Sequence, residues 1–337
     1  MSQMSQAVQI SHGRVTHKSI KRVNHSVQTG VVLITVMVIL VIASFIAIDI
    51  QSNLFYLTRV STHDLVKSQA MAYVKGAESL SMLALKTDYD NDQTNNRDID
   101  HESEEWAIVQ SFPVDGGLIE GRLIDRQGRF NLNELENNEK AQAVFLRLLG
   151  ELGIPSDTAI QAQDLLDAYL DWTDQDQEVR GISDTEDYFY FGLTRAYRTA
   201  GRSLSHLSEL RLIRGFHEED IRKLAPYVTL LPVGTPININ SIQVELARAL
   251  NPDNGETLVG DRPVEGYALS DLETLPQAQQ PALAYTSKSQ FFELRTQIEL
   301  GDERFRARSY LFRPKVVDQL SPVRIMGRDS GDLRFSI

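Results

Sequence analysis

Asp171, Asp174, Asp176 and Glu178 fall close together in the chain, with Glu186 and Asp187 a short loop later. Acids at alternate positions of a loop supply the oxygen ligands that hard divalent cations take, roughly six to eight for calcium. Without a counter-charge the same groups repel one another. The pattern is not an EF-hand, because Val179 stands at the turn-glycine position and Thr185 at the position of the bidentate acid. On spacing alone, a cation cradle and a set of solvated loop acids both remain open. A second set, Asp88, Asp90, Asp92, Asn95, Asn96, Asp98 and Asp100, has Gln93 at the EF-hand glycine position. Its low apolar content reads as a mobile, solvated loop.

Other chemistries lack their parts. There is no cysteine, so thiol catalysis, disulfides and Cys-ligated zinc are excluded. His12, His17 and His25 lie near the N-terminus, and His63, His101, His206 and His217 are scattered. No G-x-S-x-G, H-E-x-x-H or phosphate-cradling glycine loop occurs. Carboxylate pairs suit glycoside hydrolysis, but no pocket-forming aromatic pattern accompanies them. The chain is acidic, with net charge −12 over 337 residues and 42% apolar residues. The first 30 residues carry Arg14, Lys18, Lys21 and Arg22 and no acid, so the remainder, with 30 basic against 46 acidic side chains, stands at −16. Such a body repels phosphate backbones, and no nucleic-acid partner is expected. Asn238-Ile-Asn240-Ser241 is similar to the edge of a helix-hairpin-helix module. Without a basic run beside it, the segment reads as a strand end before a capped helix, Ile242 to Leu250.

The elements around these groups begin with a membrane helix. From Val31 to Ile48 only Thr35 and Ser44 are polar. At about 1.5 Å per residue the run covers nearly 30 Å, enough to span hydrocarbon. A cation-only N-terminal flank predicts a cytoplasmic N-terminus, with the body on the other side. The run exceeds the usual ~7–15 apolar residues of a cleaved secretory signal, and no small-x-small site follows it. The first proline is Pro113, and Gly76 is the lone glycine between Val31 and Gly116. Val66, Ala70, Tyr73, Ala77, Leu80 and Ala84 recur at steps of three and four. One helix from Val31 to about Lys86, on the order of 85 Å, is therefore expected, with its outer half packed on a domain or on neighbouring helices.

Beyond it, Gly117–Asp125 alternates as a strand buried on one face. Gly128 is expected to turn, with Asn131 or Asn133 capping the next helix. Residues 134–231 are helical in pattern, with Ser205 a cap and Gly215 a stop. After Pro252 the chain reads as loop and linker. Phe291–Leu300, a Gly301-Asp302 turn and Phe305–Phe312 form a hairpin. Val316–Ile337 has no clear periodicity. The class is α+β, in five stretches: 1–30, 31–87, 88–133, 134–250 and 251–337.

A basic leader, Gly30-Val31, an apolar helix and an amphipathic continuation resemble a type IV pilin or pseudopilin. Gly30 and Val31 then match the prepilin peptidase cleavage junction, and the family's mature N-terminus is methylated. A glutamate normally stands at the fifth mature position, where this chain has Thr35; that departure is the habit of the K subunit. Asp125-Arg-Gln-Gly-Arg-Phe-Asn-Leu-Asn133, Asp171-Trp-Thr-Asp-Gln-Asp176, Glu186-Asp187 with Tyr190, Glu209-Leu-Arg211 with Gly215, and Ile237-Asn-Ile-Asn240 resemble minor pseudopilin K of type II secretion systems. The resemblance spans roughly Gly117 to Leu250. It implies a long transmembrane helix packed on a small antiparallel sheet, with a large inserted all-helical domain. It further implies an inner-membrane, single-pass protein with a periplasmic body, and no enzymatic activity. Its place is the pseudopilus tip, where it starts the fibre and supports export of folded proteins. The implied partners are minor pseudopilins I and J, inner-membrane lipid and prepilin peptidase. The family's calcium would fall on Asp174, Asp176, Glu186 and Asp187, with Asp171 at a helix end or behind the ligands, and Thr35 would mark the assembly contact. The competing classes are a type IV pilus minor pilin, another membrane-tethered interaction protein, or a calcium-regulated periplasmic enzyme.

Overall fold

The computed structural model describes residues 28–95, 97–176, 178–180, 186–274 and 281–329. Two compact units divide between Leu65 and Val66, and helix α1, Gln28–Asn95, contributes to both. In the first unit every side chain from Val31 to Leu65 is exposed. The hydroxyl of Thr35 donates to the carbonyls of Val31 and Val32 at 3.1 and 2.9 Å, and that of Ser44 to Leu40 at 2.7 Å. Both polar side chains of the apolar run are thus satisfied inside the helix. Among the described residues no protein surface covers the run, and its length and composition fit a single-pass membrane anchor.

In the second unit, α1 runs on to Asn95, past the expected end near Lys86. Its buried face also differs from the expected stripe: Ala70, Val74, Leu85 and Tyr89 are buried, whereas Leu80 is 50% exposed. Glu78 and Ser81 share that face, and the sheet supplies polar partners to Glu78. Glu78 accepts from the Ser309 hydroxyl at 2.6 Å and from the Arg328 guanidinium at 2.6 and 2.8 Å. Burial works against its charge, but Arg328 and Ser309 outweigh it and hold the carboxyl below its ordinary pKa.

Strands β1, Gln110–Val114, and β2, Gly117–Asp125, are followed by the short β3, Phe130–Asn131, and β4, Val228–Thr229. Next come β5, Ile237–Asn238, and β6, Tyr285–Thr286, then the longer β7, Phe291–Leu300, β8, Glu303–Phe312, and β9, Arg324–Asp329. The main sheet is antiparallel in the order β1-β2-β7-β8-β9. The expected hairpin forms around Gly301, whose φ of +57° a side chain would strain. The Gly117–Asp125 strand pairs with it from Gly117↔Leu300 to Asp125↔Phe292. Two edge strands are additions to the expected set. β1 is almost wholly exposed and contains Pro113, and β9 only alternates between exposed and half-buried, so neither carries a core pattern.

The helical part comprises α2, Glu139–Glu151; α3, Ala162–Thr173; α4, Asp187–Phe191; α5, Glu218–Leu224; and α6, Val244–Leu250. Its core includes the fully buried Phe130, Phe145, Leu148, Leu149 and Leu165. Side chains of this size each contribute about 1.5–3 kcal/mol by leaving water. The core continues past Leu250 to Leu258 and Leu272, on short helices α7, Gly255–Gly260, and α8, Leu269–Glu273, where linker was expected. Asn131 caps the turn Leu132–Glu134, and Asn138 caps α2. The cap ahead of Leu207 is His206 rather than Ser205, with Glu209 accepting from both backbone amides.

The junction between sheet and helices is polar and buried. Asp125 accepts from Asn238 at 2.8 Å, from the Ser289 hydroxyl at 2.6 Å and from the Gln127 amide at 2.7 Å. Asn131 pairs with the backbone of Leu231 in both directions, at 2.9 and 3.1 Å. These bonds explain why the two Asn-rich stretches sit where they do. Asn238, Ile239 and Asn240 are buried, so this run does not reach a nucleic-acid backbone.

Candidate functional site

The loop acids of the helical part are set by two helix ends. Asp171 lies in the last turn of α3, Asp174 follows its final residue, and Glu186 precedes α4. Carboxylate oxygens of Asp174, Asp176 and Glu186 come within 4.8 Å of one another. Asp187, the fourth expected ligand, is not among them. Its Oδ1 accepts from the amide and hydroxyl of Thr199, at 2.9 and 3.1 Å, and so ties α4 to the following loop. Asp171 is fully buried and accepts from the Arg180 amide, behind the converging group. Arg180 was not foreseen: its guanidinium donates to Asp174 Oδ2 at 2.7 Å, beside a basic side chain's worth of charge that the acid-only pattern hides.

One cation does not balance this group. Asp174 Oδ1 and both carboxylate oxygens of Glu186 are shut off from solvent without a hydrogen-bond partner among the described residues. Burial, followed by repulsion from Asp171, Asp174, Asp176 and Asp187, pushes the Glu186 carboxyl up to about 7. Burial likewise raises Asp174, although Arg180 works in the other direction. At a separation of 4.8 Å, two carboxylates repel by roughly 3 kcal/mol at an effective dielectric of about 20. Buried, unpartnered, convergent oxygens are the donor set of a hard divalent cation, so the residues fit calcium. They equally fit a shared proton on Glu186.

The second acidic set is built differently, and the expected mobile loop is not found. Asp88, Asp90 and Asp92 lie in the final turns of α1, and Asp100 is fully buried. Arg313 donates to Asp88 at 2.7 Å, to Asp100, and to the Ser289 carbonyl at 2.9 Å. Lys288 pairs with Asp92 at 3.1 Å and Asp98 at 2.6 Å. Carboxylate oxygens of Asp88, Asp92 and Asp100 also converge, but two cationic side chains already occupy their midst. This cluster fastens the end of α1 to the strand side of the unit. The signal for it lay in Lys288 and Arg313, some two hundred residues away.

Of the assembly residues, Gly30 and Val31 both lie within α1, and Thr35 is exposed. Val31 is 62% exposed.

Relatives of this chain place the two sites in context. A family model described as type II secretion system (T2SS), protein K, matches residues 128–233. Type II secretion system protein K of Pseudomonas aeruginosa is 33% identical over 318 residues, covering 90% of this chain and 93% of that protein. The protein of the same name from Aeromonas hydrophila is 32% identical, covering 86% and 94%. Among solved structures, a chain of the GspK-GspI-GspJ complex from the type 2 secretion system of enterotoxigenic Escherichia coli superposes with a TM-score of 0.69. That match covers 81% of this chain and 99% of the other at 24% identity, which establishes the fold. The chain belongs to the type II secretion system protein K family and is a minor pseudopilin of that machinery.

Proposed function

We propose that this minor pseudopilin is a non-enzymatic structural subunit at the tip of the type II secretion pseudopilus. There it starts the fibre and supports export of folded proteins across the outer membrane. The observation that carries the reading is the apolar run Val31–Ile48, exposed on every side and continuous in helix with a segment packed on a sheet. Such a rod has one apolar environment before assembly, the inner-membrane lipid, and another afterwards, the helices of sister subunits. The basic flank places the N-terminus in the cytoplasm and the body in the periplasm. Prepilin peptidase then cuts between Gly30 and Val31, and the new N-terminus is methylated. Thr35 in place of glutamate removes one partner for a neighbouring amine, as suits a subunit with nothing above it. The partners are minor pseudopilins I and J, a reading supported by the K, I and J chains of the solved complex.

In the helical part, Asp174, Asp176 and Glu186 would hold calcium, with Asp171 and Asp187 fixing the helix ends that carry them. The ion would supply positive charge to oxygens that have no partner among the described residues, and so hold the end of α3 to the start of α4. Sequencing the N-terminus of protein recovered from membranes tests the processing step. Methylated Val31 is expected, and Met1 or Met4 would overturn it. A deletion strain that still exports its cargo, or that the full gene fails to rescue, would overturn the tip assignment.

A further inference from the structure

A cavity of about 390 Å³ lies in the second unit between the sheet and the helical part. Its charged lining is lopsided: Arg126, Arg129, Arg295 and Arg308 face Glu293 as the single acid. Glu293 is already divided, at 2.7 Å from Arg295, 3.5 Å from Arg308 and 3.9 Å from Arg129. Arg126 has no such share. Its Nη2 donates to the Leu230 carbonyl at 3.2 Å, and its guanidinium lies 4.6 Å over the Tyr310 ring. The Nε of Arg126 is closed off from solvent and has no hydrogen-bond partner among the described residues. Burial holds both Arg126 and Arg129 below the ordinary pKa of a guanidinium, the direction expected where nearby anion falls short of cation. Beside Ser205, His206 and Gln243, the other walls carry apolar side chains, with Leu207, Ile221, Val228 and Leu231 on the helical side and Met326 on β9.

We propose that this cavity binds a carboxylate borne on an apolar residue, as at the C-terminus of a partner polypeptide ending in an aliphatic or aromatic side chain. A guanidinium offers parallel donors to a planar carboxylate, and Arg126 supplies a fork that the fold leaves without an anion. The apolar walls then take the side chain next to the carboxylate. Inorganic phosphate would meet the charge alone and leave those walls unfilled. Arg126 and Arg129 belong to the motif Asp125–Asn133, whose other members hold the sheet to the helices. The motif thus positions two cations at the cavity as a consequence of building the junction.

The test uses the full chain in detergent micelles and a fluorescent peptide ending Ala-Phe-Leu with a free carboxylate. Its C-terminal amide and inorganic phosphate serve as competitors. The free acid is expected to bind, the amide about tenfold or more weaker, and Arg126→Gln to lose about the same factor. Met326→Trp, which fills the mouth from a position 57% exposed, is expected to block the peptide while the melting temperature stays put. Acid and amide binding alike, phosphate displacing the peptide at equal concentration, or no binding at all would overturn the proposal. So would unchanged affinity in Met326→Trp, which covers the case in which Arg126→Gln fails to fold.

Discussion

Arg313 is the most deeply buried cation of the second unit, 1% exposed, and Arg313→Met isolates what it holds together. The guanidinium joins Asp88, Asp100 and the Ser289 carbonyl, and lies 5.0 Å from the centre of the Phe292 ring. Methionine keeps much of the volume and the ring contact but no donor. Asp100, with no exposure of its own, then loses its cationic partner. Removing one partner of a buried ion pair costs about 3–5 kcal/mol. For a unit of this size that lowers the melting temperature by on the order of 10 °C. The loss has a pH signature. Asp88 is already raised to about 7 by burial, then by Asp100 and Glu104, with Arg313 opposing. An acid whose folded pKa lies above its unfolded value favours the fold below the unfolded pKa, and that contribution fades as pH rises through the folded one. Without Arg313 the folded value climbs further, so the deficit of the variant is largest near pH 8 and shrinks towards pH 6. Thermal melts of the full chain in micelles at the two pH values measure both effects, and Asp100→Asn added to Arg313→Met is expected to recover part of the loss. A fall of under 2 °C, or an equal fall at both pH values, would refute the reasoning.

Three further outcomes follow from the same geometry. Calcium is expected to raise the melting temperature more at pH 8 than at pH 6, because Glu186, at about 7, must give up its proton to receive the ion; Glu186→Gln should erase that difference. Leu148→Ala, at a fully buried position of α2, should cost about 2–5 kcal/mol in a denaturant or thermal melt. Asn131→Ala removes three hydrogen bonds to the Leu231–Pro232 backbone and strands the buried amide of Leu231, so a loss of about 1–3 kcal/mol is expected by the same measurement.

What could be read in advance follows the range of the interactions responsible. The α1 helix, the β7–β8 hairpin and the α2 and α3 faces rest on local periodicity, and the sequence displays them directly. Leu80 was misread because three- and four-residue steps define a stripe without saying which way the sheet lies. Glu78 was passed over for the opposite reason: its partners, Ser309 and Arg328, lie more than two hundred residues away. The same distance hides Arg313 from Asp88 and Asp100, which made a structural ion-pair cluster look like a solvated loop. Of the four expected ligands, the structure brings Asp174, Asp176 and Glu186 together, and Asp187 turns to Thr199 because α4 begins there. No run of acids specifies which member a helix start will divert.

The two acidic clusters become distinguishable once their counter-charges are compared. Asp92 has Lys288, Asp88 and Asp100 have Arg313, Asp125 has Asn238 and Ser289, and Glu293 is shared among arginines. Apart from Arg295, two residues from Glu293 on the same strand, the donors arrive from a distant stretch of chain, and the carboxylate fastens two elements. Glu186 breaks this rule, with neither oxygen hydrogen-bonded among the described residues. Its neighbours in space are further acids, and Arg180 answers Asp174 instead. Leaving such a group charged is costly, so at neutral pH the site needs a proton or a cation to close it. A proton satisfies one oxygen of one residue, whereas a divalent ion draws on Asp174, Asp176 and Glu186 at once and relieves their mutual repulsion. In the cluster at the end of α1 each of Asp88, Asp92 and Asp100 has a cationic partner, whereas in the one between α3 and α4 Glu186 has none among the described residues.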